Sequence, residues 1–220
     1  MHFFYLFPSS IRTQQQGQAA LDWNGRVPFH QKQELAVNAA APYPAIFPKL
    51  LSAAECAAVI ALGESLTKTK ATVNHRTDLE SRDYRISDIA WIEPDSPAQW
   101  LYHRLAVAFA EANARYQFDL IGIAEALQYT CYGAGHYLGW HVDMADGETA
   151  ARKLSLTIQL SDSADYDGGD LQFHGGADMP VAREQGTGVF FPGYLAHQVA
   201  PVRRGLRRAL VVWGHGPAFR

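Results

Sequence analysis

The sequence predicts a mainly β fold with flanking helices, in which a jelly-roll-type barrel occupies the second half of the chain. From Ile121 onward, short runs of β-forming residues follow one another, separated by Gly, Asp and Pro. Two helical patterns precede these runs. Helices followed by a series of short strands typically pack on one face of a sandwich or barrel.

The two helices are predicted from their start signals and their apolar spacing. Ser52 and Glu55 form a capping box in front of an alanine-rich apolar run, so the first helix is expected to begin at Ala53 with Ser52 as its N-cap. Apolar residues at helical spacing predict a second helix from Ala98 to about Tyr116, packed on a sheet.

About eight strands are expected after the helices. They are Glu125–Tyr132, Tyr137–Asp143, Lys153–Ser161, Asp170–His174, Met179–Glu184, Gly188–Pro192, His197–Val202 and Arg207–Gly214. Residues 68–88 are polar and predict a surface loop or a weak strand pair, and residues 1 to about 45 have no sustained period. We therefore expect a single domain over 1–220, with a helical supporting segment to about residue 120 and a barrel core over about 121–215.

Composition narrows the classes of function. The chain of 220 residues is 48% hydrophobic with a net charge of −3, so a folded enzyme is allowed and nucleic acid is not an expected partner. Basic side chains concentrate only in Arg203, Arg204, Arg207 and Arg208, which strand alternation divides between two faces.

The spacing of the two cysteines, Cys56 and Cys131, suggests neither a disulfide framework nor a zinc site. The opening MHFFYLF meets Pro8 too soon for a signal peptide or a membrane span, so a cytoplasmic location without a membrane is expected.

Three side chains suggest a metal site. His141 and Asp143 are two positions apart on a predicted strand, so both are expected on one face, and His197 begins a later strand. Two imidazoles and one carboxylate are the facial triad of non-haem Fe(II) proteins, which leaves coordination positions open. A His-x-Asp pair alone is a weak signal, because short motifs arise by chance and a strand histidine is more often a hydrogen-bonded core or surface residue.

The span from Tyr132 to Trp213 resembles the catalytic core of the prolyl-4-hydroxylase-like Fe(II)/2-oxoglutarate dioxygenases, PKHD-type branch. The resemblance lies in three ordered segments, YGAGHYLGWHVD, KLSLTIQLSDSADYDGGDLQF and GTGVFFPGYLAHQVAPVRRGLRRALVVW. It implies a double-stranded β-helix that uses Fe(II), O2 and the cosubstrate 2-oxoglutarate. It also implies hydroxylation of a C–H bond in a prolyl or other amino-acid, peptide or small-metabolite substrate, with succinate and CO2 as co-products.

The resemblance also implies roles for individual residues. The iron ligands would be His141, Asp143 and His197. The cosubstrate residues would be Arg207, Tyr132, Gln159 and Thr157. Arginine suits the far carboxylate of 2-oxoglutarate, because it offers an always-charged, bidentate fork. Some relatives carry Tyr in place of Gln159, and Tyr132 is equally well explained as a strand anchor, so these two contacts stay open.

Substrate choice is expected to depend on loops outside the iron frame, namely Thr67–Ile89, Met144–Arg152 and Asp178–Gln185. Arg85 and Asp146 are candidates for binding an acidic and an amino group respectively, although an exposed charge is usually only solvated. Trp213 is a further candidate substrate residue. The primary substrate and the oligomeric state remain open.

The remaining motifs are interpreted as structural. Asp167-Gly168-Gly169-Asp170 predicts a turn with positive φ at its glycines, and Pro192-Gly193 predicts the turn that presents His197. The extra histidines are expected at the pocket rim or on the surface, since the triad is complete without them; they are His136, His174 and His215.

Three alternative functions remain. A cupin-like metal protein would add a further His or Glu ligand. A non-catalytic binding module on the same barrel would lack a triad ligand or the arginine. An interaction protein with structural histidines would bind no metal.

Overall fold

The computed structural model describes residues 5–7, 43–71, 84–95, 97–175 and 182–218. Within this part of the chain there are two α-helices, α1 (Ala53–Ser65) and α2 (Gln99–Tyr116). Short 3-10 helices occupy Gly147–Ala151 and Ser163–Asp165. The strands are β1 (Tyr5–Leu6), β2 (Ala45–Phe47), β3 (Thr69–Lys70), β4 (Arg85–Ile86), β5 (Asp88–Ile92), β6 (Gly122–Ile123), β7 (Leu127–Tyr132), β8 (Tyr137–His141), β9 (Arg152–Gln159), β10 (Tyr166–Gly168), β11 (Leu171–Phe173), β12 (Gly188–Pro192), β13 (His197–Val199), β14 (Val202–Gly205) and β15 (Arg207–His215).

These strands form two main antiparallel sheets. In the described residues, the larger sheet has the order β2-β12-β9-β15-β7-β5-β3, with β6 joining β15 and β1 joining β6. The smaller sheet has the order β11-β13-β8-β4, and β10 pairs with β14 separately. The prediction of a mainly β fold is confirmed. No helix in the described part of the chain is long and apolar enough to cross a membrane.

Strand β9 separates the hydrophobic core from the interior of the barrel. Leu154, Leu156 and Ile158 belong to the main core cluster and have no exposed surface. The intervening Ser155 and Thr157 face the other way, toward the site described below. This alternation follows from the period of two in a β-strand, and it gives the larger sheet one apolar face and one polar face.

Both helices contribute to the apolar side of the larger sheet. In α2, the ring of Phe109 packs edge-on against Phe190 with centroids 5.1 Å apart. A Cβ atom at Gly214 would lie 2.7 Å from the Phe109 ring, so glycine allows this close approach. In α1, Gly63 lies against the ring of Tyr129 in the same way. Small residues at these two points let the helices reach the sheet.

The predicted capping box is present. The Glu55 amide donates to Ser52 Oγ at 3.2 Å, and the Ser52 amide donates to Glu55 Oε2 at 2.7 Å. These bonds satisfy backbone donors that a helix start otherwise leaves unpaired. The predicted start of α1 at Ala53 is confirmed.

Several predicted strand boundaries are wrong. The strand predicted over His197–Val202 divides into β13 and β14, which pair with different partners. Pro201 lies at the division, where it cannot donate a ladder hydrogen bond. Strand β8 ends at His141, so Asp143 lies just beyond the strand rather than on it. Residues 182–184 of the strand predicted over Met179–Glu184 are irregular, and residues 179–181 lie outside the described residues.

Strand β5 was not predicted, because its start was assigned to a polar loop. Its residues pair with β7 over the whole length of the strand, from Asp88 opposite Cys131 to Ile92 opposite Leu127. Ala90 and Ile92 are buried in the core, whereas Trp91 on the opposite face is exposed over 38% of its surface. The strand has a polar beginning, and its apolar run, Ile89 to Ile92, is only four residues long, which makes it a weak signal in the sequence.

Candidate metal and cosubstrate site

Three side chains meet at one mouth of the barrel. His141 lies at the end of β8 and His197 at the start of β13, and the two residues are directly paired across these strands. Asp143 follows β8, where its amide donates to the carbonyl of Gly193 at 2.9 Å. The ligand atoms of the three side chains lie within 4.8 Å of one another. Among the described residues, no other group of three or more His, Cys, Asp or Glu side chains converges in this way.

The two imidazole rings are oriented for coordination. The Nδ1 atom of His141 lies 2.9 Å from the carbonyl oxygen of Gly139, and that of His197 lies 2.9 Å from the carbonyl oxygen of Leu195. A carbonyl only accepts, so each Nδ1 carries the proton and donates it. The Nε2 lone pairs are then directed at Asp143, whose carboxylate oxygens lie 3.7 Å from each Nε2.

Burial and neighbouring charges set the ionisation of this group. Burial lowers the pKa of His197 to about 4, with Asp143 opposing the shift and His141 adding to it. Burial opposes ionisation of Asp143, but His197, His141 and a 2.6 Å hydrogen bond from Ser155 Oγ together lower the pKa of Asp143 below its usual value. A neutral His197 and an anionic Asp143 are the protonation states that bind a divalent metal.

Arg207 is a buried cation in the same cavity. Its side chain is 1% exposed, and its Nη2 donates to Gln159 Oε1 at 2.9 Å. Nε and Nη1 are buried and have no hydrogen-bond partner in the described structure, and no described carboxylate forms an ion pair with Arg207. An uncompensated buried charge is strongly unfavourable. The site is therefore complementary to an anion with at least two acceptor atoms.

The cavity has a volume of about 770 Å³, within the range of roughly 300–1,000 Å³ typical of small-molecule sites. Most of the residues expected at the site line it, and these are Tyr132, His141, Asp143, Thr157, His197 and Arg207, together with the candidate substrate residues Arg85, Asp146 and Trp213. Gln159 lies just behind, bonded to Arg207. Tyr132 is paired with Arg207 across β7 and β15, with the guanidinium carbon 5.4 Å from the ring centre.

A charged network beside the triad was not predicted. Arg152 donates through Nε to Glu125 Oε1 at 2.7 Å and through Nη2 to Glu125 Oε2. The guanidinium carbon of Arg152 lies 3.7 Å from the ring centre of Trp213. His215 Nε2 lies 2.9 Å from Glu125 Oε1, while His215 Nδ1 accepts from the amide of Ala124. Strand pairing brings these residues together, and no motif in the sequence marks them.

The extra histidines are placed differently from one another. His174 is exposed and packs edge-on against Trp140, and His136 is half-buried. The prediction is wrong for His215, which has no exposed surface and bonds Glu125 inside the barrel.

The turn glycines behave as predicted, since Gly168 and Gly169 have φ of 75° and 68°.

Known proteins are similar to this chain in fold and, over part of its length, in sequence. A model of the 2OG-Fe(II) oxygenase superfamily matches residues 127–215, which contain the triad and Arg207. A PKHD-type hydroxylase of Sphingopyxis alaskensis is 38% identical over 90 residues, covering 38% of this chain and 41% of that protein. One from Synechococcus is 37% identical over 98 residues, covering 44% of each chain. The matches thus span about two fifths of the length of these curated relatives.

Solved structures agree on the fold. A Pseudomonas putida prolyl-4-hydroxylase has a TM-score of 0.61 at 22% identity, covering 78% of this chain and 92% of its own. A Trichoplax adhaerens prolyl hydroxylase, solved with a peptide fragment of hypoxia inducible factor, has a TM-score of 0.63 at 17% identity, covering 85% and 93%. The barrel is therefore the double-stranded β-helix of these proteins.

Residues 127–215 are thus similar to the 2OG-Fe(II) oxygenase superfamily, whose members use Fe(II), 2-oxoglutarate and O2. The two curated relatives named above are both PKHD-type hydroxylases.

Proposed function

We propose that this protein is an Fe(II)- and 2-oxoglutarate-dependent hydroxylase. The observation that carries the proposal is the presence, in one cavity, of a His-Asp-His triad and a buried arginine without a carboxylate partner in the described structure. The triad fits a divalent metal and the arginine fits a dicarboxylate cosubstrate. The family match over the same residues supports the assignment.

In this proposal His141, Asp143 and His197 hold the iron, each already oriented by the contacts described above. Arg207 binds the far carboxylate of 2-oxoglutarate through its unpaired Nε and Nη1 atoms, while Gln159 fixes its orientation. Tyr132 and Thr157 line the same part of the cavity. When bound, the iron would let O2 oxidise two molecules together, 2-oxoglutarate to succinate and CO2 and a C–H bond of the substrate to a hydroxyl group.

The substrate in this proposal is a prolyl or other amino-acid side chain, a peptide or a small metabolite. Asp146 and Trp213 contact it from the cavity wall. The Trichoplax relative was solved with a peptide, which supports a peptide or a compound of similar size. The helical segment to about residue 120 supports the larger sheet, and the whole chain acts as one domain.

The alternatives have less support. A cupin-like site would show a further His or Glu beside the triad, and none converges there within the described residues. A non-catalytic barrel would have lost a triad ligand or the arginine, and all four residues are in place.

Succinate formation tests the proposal. Protein loaded with Fe(II) and 2-oxoglutarate under anaerobic conditions is exposed to air, and succinate is measured without added substrate. We expect slow turnover that is lost in His141→Ala and recovers at high 2-oxoglutarate in Arg207→Gln, whose affinity for the cosubstrate is at least tenfold lower. Arg203→Gln is the control, because Arg203 is exposed and pairs with Asp167.

Failure of wild-type protein to bind both Fe(II) and 2-oxoglutarate would refute the proposal. Binding without turnover would instead indicate that oxygen reacts only after substrate has entered.

A further inference from the structure

Two of the four basic side chains that line the cavity have carboxylate partners behind the cavity wall. Lys70 pairs with Asp88 at 2.7 Å, and Arg152 pairs with Glu125. Arg207 is assigned above to the cosubstrate. Arg85 also lines the cavity, and no described carboxylate forms an ion pair with it. Arg85 is therefore the one basic side chain of the described cavity lining that has neither a described carboxylate partner nor an assigned ligand, and Asp146 is the acidic lining residue outside the triad.

Arg85 is held in place by neutral groups. Its Nε donates to Ser87 Oγ at 2.8 Å and its Nη2 donates to Gln128 Oε1 at 3.0 Å. Ser87 and Gln128 are 1% and 6% exposed, so both acceptors are buried. Nη1 has no hydrogen bond to the described residues. These contacts orient the guanidinium without neutralising it, which is how a preorganised anion site is built.

Apolar surface lies in the same cavity. Trp91 and Trp213 both line it, with ring centroids 6.4 Å apart. Ile89, which pairs with Thr130 across β5 and β7, adds an aliphatic group to the same wall. A ligand that contacts these side chains together with Arg85 carries an anionic group and an aliphatic or ring portion.

We propose that Arg85 binds a carboxylate of the substrate, so that the enzyme acts on a carboxylic acid with an aliphatic or ring portion. This inference rests on the proposed function and adds a substrate class to it. The carboxylate belongs either to a free acid of metabolite size or to an acidic residue of a peptide. The experiment below distinguishes these two sources by testing free acids and peptides separately.

Matched acids and amides test the inference on protein loaded with Mn(II) and 2-oxoglutarate, which binds substrate without turnover. The free-acid probes are the twenty L-amino acids, each compared with its amide. The peptide probes are proline-containing pentapeptides with glutamate, each compared with the glutamine peptide. Binding is measured by calorimetry, and succinate formation is measured on the Fe(II) form. We expect at least one acid to bind tenfold or more tightly than its amide and to stimulate succinate formation.

Two variants identify Arg85 as the source of the preference. Arg85→Gln should reduce the acid-to-amide ratio to about one. Gln128→Glu should do the same with the arginine intact, because a carboxylate in the wall would neutralise Arg85. Thermal unfolding checks that each variant folds, and Arg203→Gln should keep the wild-type ratio. Equal binding of acids and amides, binding of neither, or an unchanged ratio in folded Arg85→Gln would overturn the inference.

The test separates this inference from the proposed function. The anaerobic absorbance of Fe(II) with 2-oxoglutarate is recorded on wild type and on Arg85→Gln. If that absorbance is present while no acid is preferred, only the substrate class is wrong.

Discussion

At the scale of single residues, the environment of Asp143 shows how a metal ligand is prepared. Its amide is fixed by Gly193, and its Oδ2 accepts a 2.6 Å hydrogen bond from Ser155. Both contacts restrict the carboxylate to an orientation that faces the two imidazoles. Groups that orient a ligand in this way contribute to metal affinity without touching the metal.

Replacing Ser155 with alanine is expected to weaken Fe(II) binding by about 10- to 100-fold, the usual effect of losing a bond to a metal ligand. Anaerobic metal titration measures the change. Ser161→Ala is the matched control, because Ser161 is also buried and donates to Leu206 rather than to the triad. Equal affinities in wild type and Ser155→Ala would show that Asp143 needs no such support.

The sequence could predict the triad residues but not all of their surroundings. His141, Asp143 and His197 were identifiable because residue type and order carry the signal. The bond from Ser155 and the pairing of Arg152 with Glu125 depend on strand register. Register is set by the match of hydrophobic patterns between partner strands and by turn geometry, so it cannot be read from one strand before its partners are known.

At the scale of elements, α1 is defined at its start by local chemistry and along its length by contact with the sheet. The capping box was predictable, because Ser52 and Glu55 are three residues apart. The role of Gly63 was not, because its reason is the ring of Tyr129 on another element. Strand β5 was missed because its apolar run is short and follows a polar segment, and only its pairing with β7 shows its full extent.

Gly63→Val is expected to destabilise the protein by about 2 kcal/mol or more, because the new side chain would overlap with the Tyr129 ring. Urea unfolding measures the loss. Ala61→Val places the same β-branched residue on the exposed side of α1 and should cost well under half as much. Equal effects of the two substitutions would mean that α1 does not depend on close packing against Tyr129.

At the scale of the whole molecule, buried and half-buried ion pairs join distant parts of the chain. Glu125 accepts from Arg152 and His215, and Glu64 of α1 bonds Lys68, Tyr129 and Arg208. Burial opposes ionisation of Glu125, but its two partners lower its pKa to about 2. The bond from Lys68 is the largest contribution to a similarly lowered pKa of about 2 at Glu64.

These shifts predict how stability depends on pH. Both folded-state values lie below the usual 4.5, so each carboxylate contributes stability that is complete above about pH 4.5 and is lost as pH falls toward 2. Glu125→Gln should flatten this part of the profile, measured by urea unfolding of metal-free protein between pH 5 and 2. The exposed Glu148→Gln should follow wild type. Parallel profiles for wild type and Glu125→Gln would contradict the assigned ion pair.

The central claim concerns the whole site, in which one cavity holds a metal triad and a cation for a dicarboxylate. The most direct measurement is the anaerobic absorbance spectrum of the protein with Fe(II) and 2-oxoglutarate. We predict a charge-transfer band that is absent in His141→Ala and requires at least tenfold more 2-oxoglutarate in Arg207→Gln. A wild-type protein that binds Fe(II) yet shows no band at saturating 2-oxoglutarate would contradict the account.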